Sequence, residues 1–305
     1  MHKYNWGGLY IVLAVLLWAG NAVIGRIASD ANVPPIALNF WRWATAFLIM
    51  APFAARTLYA ERDLFKTHWR HWTVFGIITV AGFNSAYYVG LQDTTVVQGT
   101  LISSALPIFV LVAARIFLAQ PITGRQLAGV GLSLIGVAII VARGDPAVLR
   151  DLTLNIGDVW MLLAVFLWAA QTILIRFVPK GMDLVAFQVA CFVAGLTVLA
   201  PFYLYETVGG RPMPLTWEAV LLVGYASVMA SVVGFTCWNL GVIRVGAKTA
   251  GYLGNLFPVF GATLGILLLG EPFQWFHALG GIVTLAGIVL ATMAPATPMP
   301  FADKV

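Results

Sequence analysis

The chain has 305 residues, 10% charged and 61% apolar, with a formal net charge of +5 and a mean hydropathy of +0.91. An ordinary soluble domain carries about 25% charged residues, so this sequence lacks the polar skin that a water-soluble fold of its length needs. Its basic residues edge apolar runs instead of forming a patch, which excludes a nucleic-acid partner and makes the lipid bilayer the expected solvent.

A bilayer crossing takes roughly 20 mostly apolar residues. Ten such runs follow one another: 8–28, 35–56, 72–91, 97–118, 125–143, 157–178, 183–205, 217–241, 247–269 and 274–294. None alternates with the period of two expected of a membrane barrel, so each is predicted as a helix. The predicted fold class is an all-α integral membrane protein with ten transmembrane helices, forming one membrane domain over 1–305. The longest connections, 57–71, 144–156 and 206–216, cannot house another domain. The first run is too long for a signal-peptide core and lacks a small-residue cleavage site, so it is expected to stay as a span. With the N-terminus in the cytoplasm, twelve of the 17 Lys and Arg fall on the inner face and five on the outer. The positive-inside rule then puts both termini in the cytoplasm.

Several chemistries are excluded. Cys191 and Cys237 fall inside spans, and the four His residues lack ligand spacing, so neither a metal site nor a disulfide framework is indicated. No phosphate-binding Gly-rich loop or hydrolase motif occurs. A membrane enzyme would need a charged or metal-binding cluster at one face, and a channel a charged ring or filter loop. The sequence offers neither, and no cofactor is expected.

The two halves repeat. LLWAGNAVIGR at 16–26 returns as FLWAAQTILIR at 166–176, so Trp18, Asn21 and Arg26 recur as Trp168, Gln171 and Arg176. APF at 51–53 returns at 200–202 and Asn39 aligns with Gln188, both at an offset of 149. SSALPIF (103–109) aligns with GNLFPVF (254–260), AQP (119–121) with GEP (270–272), and Gly129 and Gly136 with Gly280 and Gly287, all at 151. One five-helix unit is therefore used twice, over 8–143 and 157–294. Five is odd, so the second unit enters the membrane from the opposite face. Such inverted repeats mark secondary transporters, which bind substrate near the bilayer midplane at the repeat interface and work by alternating access.

WAGN at 18–21 followed by Arg26, RWATAF at 42–47 and LPIFVLVAARIFLAQP at 106–121 carry a family resemblance, with WAAQTILIR at 168–176 and FPVFGATLGILLLGEP at 257–272 in the second half. The chain resembles the ten-helix, EamA-type branch of the drug/metabolite transporter superfamily, over nearly its whole length. Gln120 departs from the Glu often found there, opposite Glu271. The resemblance implies a multi-pass protein of a bacterial inner membrane that exports small metabolites. Amino acids including aromatic ones come first, as for YddG-like exporters, and cationic drugs are the alternative. A nucleotide-sugar substrate is disfavoured, because the expected cavity lacks clustered Lys or Arg for a pyrophosphate.

Intramembrane polar groups normally face the bundle interior or a water-filled cavity, and helix positions three and four apart share a face. Span 1 then presents Trp18 and Asn21, span 6 Trp168 and Gln171, and span 3 Val80, Asn84, Tyr87 and Leu91, with Tyr88 alongside. Span 8 presents Ser231, Phe235, Trp238 and Val242, with Asn239 alongside. Span 4 adds Thr100, Ser103 and Ser104, and span 9 adds Tyr252 and Asn255. These are the candidate substrate-binding residues: an aromatic wall with amide and hydroxyl tips for an amphipathic small-molecule substrate. The competing reading makes them helix–helix glue, and it is preferred for the aromatic residues at span ends, Trp6, Tyr10, Trp69, Trp72, Tyr203, Trp217 and Trp275.

Arg42 lies about two turns inside span 2 and is expected to snorkel outward, with pairing to a substrate carboxylate as the alternative. No Asp or Glu sits at a span centre, and His277 is the one intramembrane titratable candidate for ion coupling, with a structural role preferred, so facilitated efflux or weakly coupled exchange is expected. Pro107 and Pro258 occupy matching places in spans 4 and 9 and are predicted hinges. Gly129 with Ser133, and Gly280 with Thr284, suit close packing within the bundle or between subunits. A monomer is the default expectation, a dimer the alternative.

Overall fold

The computed structural model describes residues 6–29, 33–94, 96–153, 155–179, 181–269 and 272–293. Every regular element among the described residues is helical. Ten helices run in series: α1 (Gly7–Ser29), α2 (Pro35–Ala60), α3 (Trp69–Asp93), α4 (Gly99–Phe117), α5 (Gly124–Val141), α6 (Ile156–Phe177), α7 (Leu184–Val208), α8 (Trp217–Val245), α9 (Ala247–Leu268) and α10 (Trp275–Thr292). No predicted boundary is off by more than four residues. Apolar runs of bilayer length have few ways other than a helix to satisfy their backbone in lipid. Two short helices, Arg62–Thr67 and Pro146–Arg150, fill connections read as loops. The Arg26 side chain and the whole of Lys180 and Glu271 lie outside the described residues.

The packing follows the repeat. α1 packs against α8 and α9, and α6 packs against α3 and α4, so the first helix of each half is clasped by the third and fourth of the other. α2 pairs with α7 and α5 with α10. Individual bonds obey the same symmetry. The Asn39 amide on α2 donates to Ser85 Oγ on α3 at 3.0 Å, and in the second half Thr236 Oγ1 on α8 donates to Gln188 Oε1 on α7 at 3.1 Å. Trp6, Trp69, Trp217 and Trp275 are more than half exposed at helix starts, as interfacial aromatics should be.

α5 and α10 form the tightest seam. A Cβ added to Gly136 would meet the backbone of Thr284 and Gly280, and one on Gly287 the backbone of Ser133 and Gly129. The small-residue stripes therefore pack within one chain. Gly136→Leu is expected to cost about 1–3 kcal/mol from overpacking, read as a lower thermal midpoint in detergent. Gly131→Leu, at a glycine whose added Cβ meets nothing within 4 Å, should leave the midpoint where it is.

Two features of α3 and α8 go beyond the helical-period reading. Ile77–Phe83 and Ala226–Gly234 are π-helical, with hydrogen bonds to the fifth residue back. Their starts are 149 residues apart and their ends 151 apart. The two-residue drift between the repeats thus falls inside these wide turns. Carbonyls of the wide turns accept from side chains: Thr79 O from the Asn84 amide at 3.1 Å, Val80 O from Asn39 at 3.0 Å, and Ala226 O from the Ser231 hydroxyl at 2.9 Å.

The predicted proline hinges take a different form. α4 restarts at Ser104–Ala105 and α9 at Asn255, and Pro107 and Pro258 fall in the first turn of each restarted segment. A first-turn backbone has no helical acceptor for its N–H, so a proline there costs no hydrogen bond. The prolines inside unbroken helices are Pro52 and Pro201, from the repeated APF.

Candidate functional site

Arg42 enters the bundle from the first turns of α2. Its side chain is buried, not snorkelled. Nε donates to Ser231 Oγ on α8 at 2.5 Å, and Nη1 donates to Asn84 Oδ1 and Tyr88 Oη on α3, both at 3.0 Å. The guanidinium also stands over the Trp43 ring, 5.2 Å from its centroid. All four partners are neutral. Among the described residues no Asp or Glu pairs with this cation, and no acceptor engages Nη2. A buried charge without a counterion costs several kcal/mol, which membrane proteins accept where the charge meets a substrate or an ion path. The two wide turns build this arrangement, since Ser231 lies within one and Asn84 closes the other.

Arg42 borders a central cavity that is partly open. Trp18 and Asn21 of α1, Asn84, Tyr87 and Tyr88 of α3, Thr100, Ser103 and Ser104 of α4, and Trp168 and Gln171 of α6 all line it, with Pro258 of α9. Ten helices in series return the end of α10 to the face where α1 starts, the face toward the termini. The lining parts of α2, α3 and α4 therefore lie in the half of the bundle remote from both termini.

Three tryptophans close the cavity at mid-depth. Trp18, Trp168 and Trp238 form a triangle with ring centroids 5.2 to 5.4 Å apart. The Trp18 indole donates to Ala230 O, in the wide turn of α8, at 2.9 Å. Gly20 makes room for this packing: a Cβ there would strike the hydroxyl of Tyr225, which donates to Leu17 O at 3.1 Å. Toward the termini the bundle is shut. Ile11, Ala14 and Val242 are fully buried, Arg176 donates to Val242 O and Ile243 O, and Arg244 stands over the Tyr10 ring.

The other sequence candidates lie elsewhere. Trp238 is floor and not wall, with 0% exposure against 7% for Trp168. Asn239 and Tyr252 are buried outside the cavity lining. Asn255 donates to Ser133 Oγ and ties α9 to α5, which is the helix-glue role. His277 caps the start of α10, its ring accepting from Gln274 N at 3.2 Å and packing on Phe276. It sits by a lateral cleft with Ile140 and Phe273, away from the central cavity. Pro107 is buried and does not line the cavity, whereas Pro258 does.

Trp43, Thr79, Phe83, Gly254 and Phe257 also line the cavity and were not singled out by the sequence, while Phe235 came only as part of a stripe. Phe83 packs on Trp168 at 5.5 Å and on Tyr87 at 6.1 Å, extending the aromatic wall. Trp43 had a signal, its place beside Arg42 in RWATAF.

A helical membrane bundle built twice, with a closed-ended cavity where the two units meet, defines a membrane transporter. The chain belongs to the EamA-like transporter family, whose sequence profile matches residues 5–142 and again residues 155–293. It is 28% identical over 289 residues to an uncharacterized transporter of Archaeoglobus fulgidus, covering 93% of this chain and 96% of that one. A probable terminal-alkyne amino-acid exporter of Streptantibioticus cattleyicolor is 26% identical over 295 residues, with 92% and 91% covered. A solved crystal structure matches with a TM-score of 0.73 over 94% of this chain and 96% of that chain, at 18% identity, a likeness of fold alone.

Proposed function

We propose that this transporter exports amino acids, aromatic ones among them, by alternating access through the central cavity, from a bacterial inner membrane with both termini in the cytoplasm. The observation that carries this reading is Arg42, a buried guanidinium with a free edge, set beside flat aromatic walls. Its unused Nη2 hydrogens suit a carboxylate oxygen, and the faces of Trp168, Phe83 and Tyr87 suit a ring or aliphatic side chain. The named exporter among the relatives supports the same class.

The cationic-drug reading fits less well. Two positive charges about 6 Å apart repel by roughly 3 kcal/mol at an effective dielectric of about 20. A cation over an aromatic face gains only about 0.5–2 kcal/mol. The protein works as a monomer in this reading and carries no cofactor, and its coupling is facilitated exchange.

Counterflow in proteoliposomes tests it. Vesicles preloaded with unlabelled phenylalanine should accumulate labelled phenylalanine transiently and saturably. Trp168→Ala should weaken apparent affinity up to about tenfold, the weight of lost aromatic contacts. Absence of exchange across a panel of amino acids would reject the proposal.

A further inference from the structure

We infer that the cavity recognises the carboxylate of its ligand and does not require an amine, so that aromatic monocarboxylates without an ammonium group are substrates in their own right. This rests on the cavity being the transport site, as proposed above.

The charge inventory of the site carries the inference. Arg42 is the single ionised side chain among the described lining residues, and none of them is Asp or Glu. An ammonium group entering this cavity therefore meets no anion among the described lining residues, only neutral acceptors such as the amide oxygens of Asn21 and Gln171. Those groups can compensate part of its lost hydration, but they cannot supply the charge attraction that water and counterions gave it. A carboxylate entering the same cavity meets a desolvated guanidinium whose three used hydrogens are all held by neutral partners, with no acceptor among the described residues on Nη2. Its charge is thus neutralised only when the ligand arrives.

The three possible charge types then rank themselves. A zwitterion brings its own counterion and sits with its ammonium uncompensated by the protein. A lone carboxylate balances the one ionised side chain of the described lining and brings no second charge that needs a partner. A lone amine adds a second positive charge to a site that already holds one. The Trp43 ring against the guanidinium sharpens the ranking, because it stabilises the guanidinium without cancelling its charge.

A series with one ring and three head groups isolates the effect: 3-phenylpropanoate, phenylalanine and phenethylamine. Because protonated acids cross bilayers unaided, the readout is binding to the purified protein in detergent at neutral pH, by calorimetry and by quenching of tryptophan fluorescence. The expected result is that 3-phenylpropanoate binds within threefold of phenylalanine, or more tightly, and that phenethylamine binds at least 30-fold more weakly. Arg42→Gln should reverse the order of acid and amine, while Arg42→Lys should keep it, which separates loss of charge from loss of fold. Phenylalanine binding with 3-phenylpropanoate at least 30-fold weaker would overturn this inference and leave the amino-acid reading standing. Phenethylamine binding as well as 3-phenylpropanoate would overturn it too. If neither phenylalanine nor 3-phenylpropanoate binds, both readings fall together.

Discussion

Arg42→Gln is expected to weaken binding of a carboxylate substrate by roughly 30- to 1,000-fold, or about 2–4 kcal/mol, while the thermal midpoint holds or rises. The two halves of that statement have separate origins. The guanidinium makes three hydrogen bonds, to Ser231, Asn84 and Tyr88, each contributing about 1 kcal/mol or somewhat more. Keeping it charged without a protein carboxylate costs several kcal/mol. Its removal therefore relieves about as much as it forfeits. A residue whose loss harms binding and spares stability is held for function. Binding by calorimetry and unfolding in detergent, on the same preparations, check both. A midpoint many degrees lower together with unchanged substrate affinity would make Arg42 a strut.

Trp238→Ala should behave in the opposite way. This ring is fully buried and touches both Trp18 and Trp168, so its loss leaves a void under the cavity floor. Truncations of that size cost about 3–5 kcal/mol, here on the order of 10 °C in thermal midpoint. Trp168→Ala, at a buried ring that also lines the cavity, should lower the midpoint as well and add to it the loss of affinity given above. Trp238→Phe should recover most of the midpoint, because the Trp238 indole N–H has no acceptor among the described residues and its deletion breaks no bond. Equal midpoints for Trp238→Ala and the parent protein would mean that the triangle is not the floor.

The spans, their number and the twofold use of one unit were legible in the sequence for a physical reason. Lipid leaves few alternatives to a helix of about 20 residues, and the recurrence of Trp18, Asn39 and Gly136 at nearly constant offsets survives any drift of the apolar filler. The cavity face of α1 and α6 was legible as well, since both are regular through Trp18 and Trp168. α3 was only half legible. Stepping by three and four from Asn84 gives Val80, which is fully buried, whereas the residues at the cavity are Thr79 and Phe83. The wide turn over Ile77–Phe83 takes more residues per turn than the assumed period, so the stripe slips there. Arg42 was misjudged for another reason. Its distance from the start of span 2 allowed it to reach outward, and its partner Ser231 lies 189 residues away, which no local pattern reveals. Asn255 illustrates the converse: an amide at a good position was claimed by Ser133.

The wide turns also decide where this protein can change length. In a regular helix, deleting one residue rotates everything beyond it by about 100° and shortens the span by about 1.5 Å, which scrambles a membrane bundle. A π turn already holds a surplus residue, so one deletion inside Ile77–Phe83 can be absorbed by tightening that turn to ordinary helix. The seven residues there against nine in Ala226–Gly234 show the two halves using this allowance to different extents. Insertions and deletions, ordinarily confined to loops, have in α3 and α8 a berth at the middle of the membrane.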